Sequence, residues 1–144
     1  MKVLKMLAVK QREFQKAFGR PGKVTPSLLS QKDSVFRDHL MREEVSEYLE
    51  GAVMQEDLEL VLDSLVDQLY VLLGTINEHG LQNVIDEAFE EVHRSNMSKL
   101  WEDGNFRNDA NGKTMKPPTW TAPDLKSILE KHLPTSDDQD NQAG

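Results

Sequence analysis

The stretch "LVLDSLVDQLYVLLG", Leu60 to Gly74, decides how this chain is read. It is among the most apolar runs in the sequence, yet it carries Asp63 and Asp67, four residues apart. On a helix that spacing sets one above the other on the same face. Burying an unpaired carboxylate costs several kcal/mol, so such acids are solvated, paired, or bound to a cation. On a wheel of 3.6 residues per turn, Glu59, Asp63 and Asp67 form one row, with Ser64 and Gln68 beside it. A solvated face would account for the row alone. Leu60, Tyr70 and Val71 fall in the same arc, however, so the acids lie on a surface that packs against something.

The segment before it repeats the anomaly. "SVFRDHLMREEVSEYLEGAV", residues 34–53, has Phe36, Leu40, Met41, Val45, Tyr48, Leu49 and Ala52 at helical spacing. Glu44 and Glu47 are three apart and adjoin on one face, and Leu40, Met41 and Tyr48 neighbour Glu44. Its carboxylate therefore borders the apolar stripe, whereas Glu50 reads as an exposed residue. Like charges at this spacing oppose helix formation by a few tenths of a kcal/mol each, so these acids need a compensating cation. An all-oxygen ligand set suits Mg²⁺ or Mn²⁺.

The rest of the chain reads as helices and an arm. A first helix over about 3–18 carries Leu4, Leu7, Phe14 and Phe18, closed by "FGRPG". The helix containing the opening stretch closes at His79-Gly80. "LQNVIDEAFEEVHRSNMSKLW" gives a fourth, with Val84, Ile85, Ala88, Phe89, Val92 and Leu100 on a stripe. After Trp101 the composition turns to Gly, Asn, Asp and Pro, with a turn at Asn111-Gly112. Pro123-Asp124 starts a short helix. The class is all-α: a four-helix bundle core to about 102, then an irregular arm and short helix over 103–133. Residues 1–133 read as a single domain, and 134–144 as a disordered tail.

Composition narrows the function. The chain has 144 residues, of which 38% are hydrophobic and 29% charged, and it has no cysteine. Thiolate catalysis, disulfides and Cys-ligated zinc are excluded. The net charge of −8 and pI near 5.0 disfavour binding to nucleic acid, which wants clustered Lys and Arg. No membrane-spanning or signal segment is expected, and the cytoplasm is the expected compartment. On the fourth helix Asn96 continues the stripe of Ile85, Phe89 and Val92, with Lys99 three residues on and Arg94 on another side.

These residues resemble the all-α nucleoside triphosphate pyrophosphohydrolase superfamily of MazG-like proteins, dimeric dUTPases and phosphoribosyl-ATP pyrophosphohydrolases. The resemblance runs from "FQKAFG" through "LMREEVSEYLEG", "LVDQLYVLLG" and "AFEEVHRSNMSKL" to "GKTMKPPTWTAPDL". The superfamily pattern is an ExxE on one helix and an ExxD on the next, holding Mg²⁺. Glu44 and Glu47 match the first half. In the second, Ser64 stands three residues before Asp67 where the pattern has glutamate, and Asp63 is the natural substitute. The resemblance implies attack of water on the α-phosphorus of a nucleoside triphosphate, giving a monophosphate and pyrophosphate. It implies Glu44, Glu47, Asp63 and Asp67 as metal ligands and Glu43 or Glu44 as general base. Asn96 and Lys99 would contact phosphates, with Arg94 and Lys116 in support. Family members of this size are homodimers or homotetramers, and a nucleotide-pool house-cleaning role follows by analogy. Phosphoribosyl-ATP is the alternative substrate.

Two rival readings compete. A di-iron carboxylate bundle needs two Glu-x-x-His pairs, and only Glu90–His93 has that spacing. A non-enzymatic helical interaction module would leave the acids facing solvent or a basic partner.

Overall fold

Three of the helices start where a short polar side chain takes up free backbone N–H groups. The computed structural model describes residues 2–134, and these are helical apart from loops and an irregular arm. The tail expected over 134–144 lies, beyond Pro134, outside the described residues. Helix α1 spans Val3–Ala17, α2 Gln31–Leu49, α3 Leu58–Glu78, α4 Ile85–Met97 and α5 Leu125–Glu130. Ser30 caps α2 by accepting from the Asp33 N–H. Asp57 caps α3, accepting from Glu59 and Leu60, and Asp124 caps α5 through Ser127. The fourth helix, read from Leu81, begins only at Ile85, after a turn over 82–84.

Two compact units result, the first running through Asn83 and the second spanning Val84–Leu133. In the first, α3 packs against both α1 and α2. In the second, α4 packs on α5, and the arm carries a single antiparallel bridge, Asn108 with Thr114, around Gly112 at φ 79°.

The second helix does not run unbroken to Val53. It widens into a π-helical turn over Glu50–Met54. Such turns hold an extra residue and re-aim the backbone. Here the turn brings Gly51 against α3, where a Cβ would stand 3.0 Å from Leu60 Cβ and 3.2 Å from the Val61 nitrogen. Only glycine allows that approach without a shift.

Gly51 is one of three contacts that fix the register of α2 on α3. Arg37 Nε donates to Thr75 Oγ1 at 3.0 Å, and Gln68 Nε2 donates to the Glu44 carbonyl at 3.3 Å. Arg37, Glu44 and Gly51 recur every seven residues, as do Thr75, Gln68 and Val61. A seven-residue recurrence keeps one face toward a neighbouring helix, so the antiparallel pair holds one register throughout.

The centre of the first unit is polar. Among the described residues its buried apolar side chains are Ala8, Leu73 and Ile76, whereas Gln11, Gln15, Arg37, Ser64, Asn77, Glu78 and Gln82 are buried polar ones. The bulky apolar residues lie outside. Leu62, Leu65, Leu69 and Leu72 form an exposed stripe on α3, and a groove of about 320 Å³ beside it is lined by Met41, Val45, Gln68, Leu69 and Leu72.

Candidate metal and phosphate site

Helices α2 and α3 bring five carboxylates together. Glu44 is half-buried, and its Oε2 is fully buried with no hydrogen-bond partner. Its pKa is raised above the ordinary carboxylate value, first by burial and then by the charges of Glu47, Asp67, Glu43 and Asp63. Every neighbouring influence is a like charge. Among the described residues none of the five acids forms a salt bridge. Nor do any three acids or imidazoles among them converge closely enough to form a ready-made metal cage.

Position 64 explains the missing glutamate. Ser64 is 2% exposed and its hydroxyl donates to the Val61 carbonyl at 3.1 Å. This position faces into the packed side of α3, so a glutamate there would be buried with Ser64's neighbours. Asp63, by contrast, is exposed and close enough for its charge to act on Glu44.

One helical turn beyond Asp67, most of the polar groups find partners, although Gln15 Oε1 and Asn77 Oδ1 are buried without one. Arg37 Nη2 donates to the Val71 carbonyl at 2.6 Å, and Nη1 stands 3.7 Å from Glu78 Oε1. Burial lowers the Arg37 pKa, Glu78 offsets part of that, and Arg20 adds to it. Glu78 also meets Arg20 Nη2 at 3.2 Å, and Arg20 reaches Asp33 at 3.5 Å. Gln15 Nε2 donates to the Gly74 carbonyl, and Asn77 Nδ2 to Ala8 and to Gln11 Oε1. Gly74 has no room for a side chain: a Cβ would lie 2.7 Å from Gln11 Nε2 and 2.9 Å from Arg37 Nη2. None of this clasp was read from the sequence. Its signal was Arg37 seven residues before Glu44, in a helix read for its apolar spacing and its acids.

The expected phosphate-binding residues belong to the second unit. Asn96 and Lys99 meet each other, Lys99 Nζ donating to Asn96 Oδ1 at 2.7 Å. Arg94 is turned to its own surroundings. It makes two 2.8 Å bonds to Glu91, holding that carboxyl down at about 2, and donates to Thr121 and Ala122 of the arm. Lys116 lies over the Trp120 ring, 3.5 Å from its centre.

The fold and site define an all-α protein with a carboxylate cluster shared between two antiparallel helices. The chain belongs to the phosphoribosyl-ATP pyrophosphohydrolase family, whose sequence profile matches residues 11–96, within the MazG-like all-α superfamily. No curated protein matches it. The matched region takes in every one of the five carboxylates, Arg37, Arg94 and Asn96. Members are pyrophosphohydrolases, acting on phosphoric anhydrides, and are generally metal-dependent. That membership sets the interaction-module reading aside. No helix among the described residues is long and apolar enough to cross a membrane.

Proposed function

We propose that this chain is a Mg²⁺-dependent nucleoside triphosphate pyrophosphohydrolase, converting a (d)NTP and water to a (d)NMP and pyrophosphate. The observation that carries the reading is the Glu44 oxygen, buried without a partner amid four further carboxylates. Groups so arranged are unfavourable unless a cation binds them, and the donor set, all carboxylate oxygen, fits a hard divalent ion. Glu44, Glu47, Asp63 and Asp67 would hold it, with Mn²⁺ as a substitute for Mg²⁺. Bound there, the ion supplies charge neutralisation for the triphosphate and acidifies the attacking water.

The chain's own residues do the rest. Water attacks the α-phosphorus, an O–P bond forms, and the bond from that phosphorus to the bridging α–β oxygen breaks. Pyrophosphate leaves with the bonding pair. The water proton passes to a carboxylate, Glu43 or Glu44. Burial and the like charges around Glu44 raise its pKa above the ordinary carboxylate value, which strengthens a carboxylate as a base. Asn96 and Lys99, already hydrogen-bonded together, offer an amide and an ammonium to phosphate oxygens, and Lys116 a further charge. Arg94 contributes through the arm that it holds, in addition to any phosphate contact.

The working unit is a homodimer or homotetramer in the cytoplasm, serving nucleotide-pool house-cleaning. The exposed leucine stripe of α3 supports assembly, because monomers rarely leave so long an apolar row uncovered. Phosphoribosyl-ATP, the substrate in the family's name, is the second reading.

The test is a panel of (d)NTPs and phosphoribosyl-ATP with Mg²⁺, assayed for pyrophosphate and for orthophosphate separately. Pyrophosphate with one or more nucleoside triphosphates is expected. Release from phosphoribosyl-ATP alone would move the assignment to the second reading, and release from none would remove both.

A further inference from the structure

Helices α2 and α3 meet face to face at the very place where they carry five unpaired acids. Repulsion between like charges in a partly buried site favours splaying the pair apart. Something must hold the helices in register when no cation is there.

The structure has two close approaches, and they bracket the acids. On one side is Arg37, seven residues before Glu44. Its side chain is 8% exposed, and its guanidinium grips α3 at the Val71 carbonyl, at Thr75 and at Glu78. Val71 is one turn beyond Asp67. On the other side is Gly51, seven residues after Glu44, its backbone set directly on Leu60 and Val61, one turn or less before Asp63. Between the two pins, Gln68 ties α3 to the Glu44 carbonyl itself. The pins have different chemistry: one is a buried fork of donors, the other the absence of a side chain. Neither adds charge to the acid cluster, because the charges acting on Arg37 are those of Glu78 and Arg20.

We infer that Arg37 and Gly51 are positioning residues for the carboxylate cluster, fixing the α2–α3 register that keeps Glu44 and Glu47 on α2 opposite Asp63 and Asp67 on α3, from where they would close on a divalent cation. The inference rests on the metal reading proposed above. A planar fork with three simultaneous acceptors cannot be replaced by an ammonium, so lysine at 37 should keep only part of the effect.

The experiment is Mn²⁺ titration by calorimetry, with far-UV circular dichroism and melting temperature recorded for each variant. Arg37→Met should weaken Mn²⁺ binding about 10–100-fold while helix content stays at the wild-type level. Arg37→Lys should fall between the two, and Gly51→Ala should weaken binding several-fold through the other pin. In turnover, the metal concentration for half-activation should rise by the same factors, with the nucleotide KM at saturating metal unchanged. Folded variants that bind Mn²⁺ as the wild type does would overturn the inference and leave the metal site standing. A wild-type chain that takes up no Mn²⁺ would overturn the metal reading, and this inference with it. If Arg37→Met fails to fold, the same decision is read from Gly51→Ala and Arg37→Lys, which leave the charge at position 37 in place.

Discussion

The α2–α3 pair buries polar groups at two places about two turns apart along α2, and treats them differently. Around Arg37 and Glu78 nearly every donor has an acceptor and the charges alternate in sign. Around Glu44 all the charges are alike and one buried oxygen has no partner. Folding alone accounts for the first arrangement, since paired donors and alternating charges specify how helices meet. It gives no reason for the second. The clasp also leaves Gln15 Oε1 and Asn77 Oδ1 without partners, so what sets the Glu44 cluster apart is that every charge around it is alike.

The widest gap between the two regions should open on neutralising one acid. Asp67→Asn is expected to lower pyrophosphate release at least about a hundredfold, because losing even a supporting contact in a metal site costs 10–100-fold. The same variant should lose the rise in melting temperature that Mg²⁺ gives the wild type, since a ligand bound only by the folded state stabilises it. An Asp67→Asn protein with an intact Mg²⁺ response would reduce the cluster to surface charge.

At the clasp, the equivalent neutralisation should act on stability. Glu78→Gln leaves Arg37 buried without its countercharge and is expected to destabilise by about 3 kcal/mol in a denaturant titration, at the low end for a broken buried pair because Arg20 is partly exposed. A change near zero would mean that the hydrogen bonds to Val71 and Thr75 carry the clasp alone.

The smallest effect should have the opposite sign. Because the folded state raises the pKa of Glu44, the native protein keeps that proton to higher pH than the unfolded chain does. Its contribution to stability is complete below the ordinary glutamate value and is lost as pH rises through the folded value. Metal-free Glu44→Gln should therefore melt slightly higher than the wild type at neutral pH. The difference between them should vanish below the ordinary glutamate value. A wild-type melting curve with the same pH dependence as Glu44→Gln would contradict the shared-field picture.

These two regions were not equally legible in the sequence. The acids stood out because Asp63 and Asp67 break an apolar run at a spacing with a known geometry, and the all-α class followed from the same periodicity. The clasp did not stand out, since reading a helix by its apolar stripe assigns the interior to Phe14, Phe18, Phe36 and Tyr48. All four are exposed, and the interior went to glutamines, an asparagine and an ion pair. Polar residues enter a core through specific partners far away in the chain, as Gln15 does with Gly74, and no local period records that. The π-helical turn was hidden for a similar reason: the part Gly51 plays depends on Leu60 lying opposite. Ser64 could be read only once its burial was known.

The polar interior of the first unit also has a calorimetric meaning. Heat capacity on unfolding rises with apolar exposure and falls with polar exposure, the usual balance being about 12–15 cal/mol/K per residue. A unit that buries Ala8, Leu73 and Ile76 beside seven polar side chains falls below that balance. Its stability curve as a separate chain is expected to be correspondingly shallow, an outcome that scanning calorimetry would check. Covering the leucines of α3 in an assembly of the kind proposed would raise that heat capacity, because it would bury apolar surface.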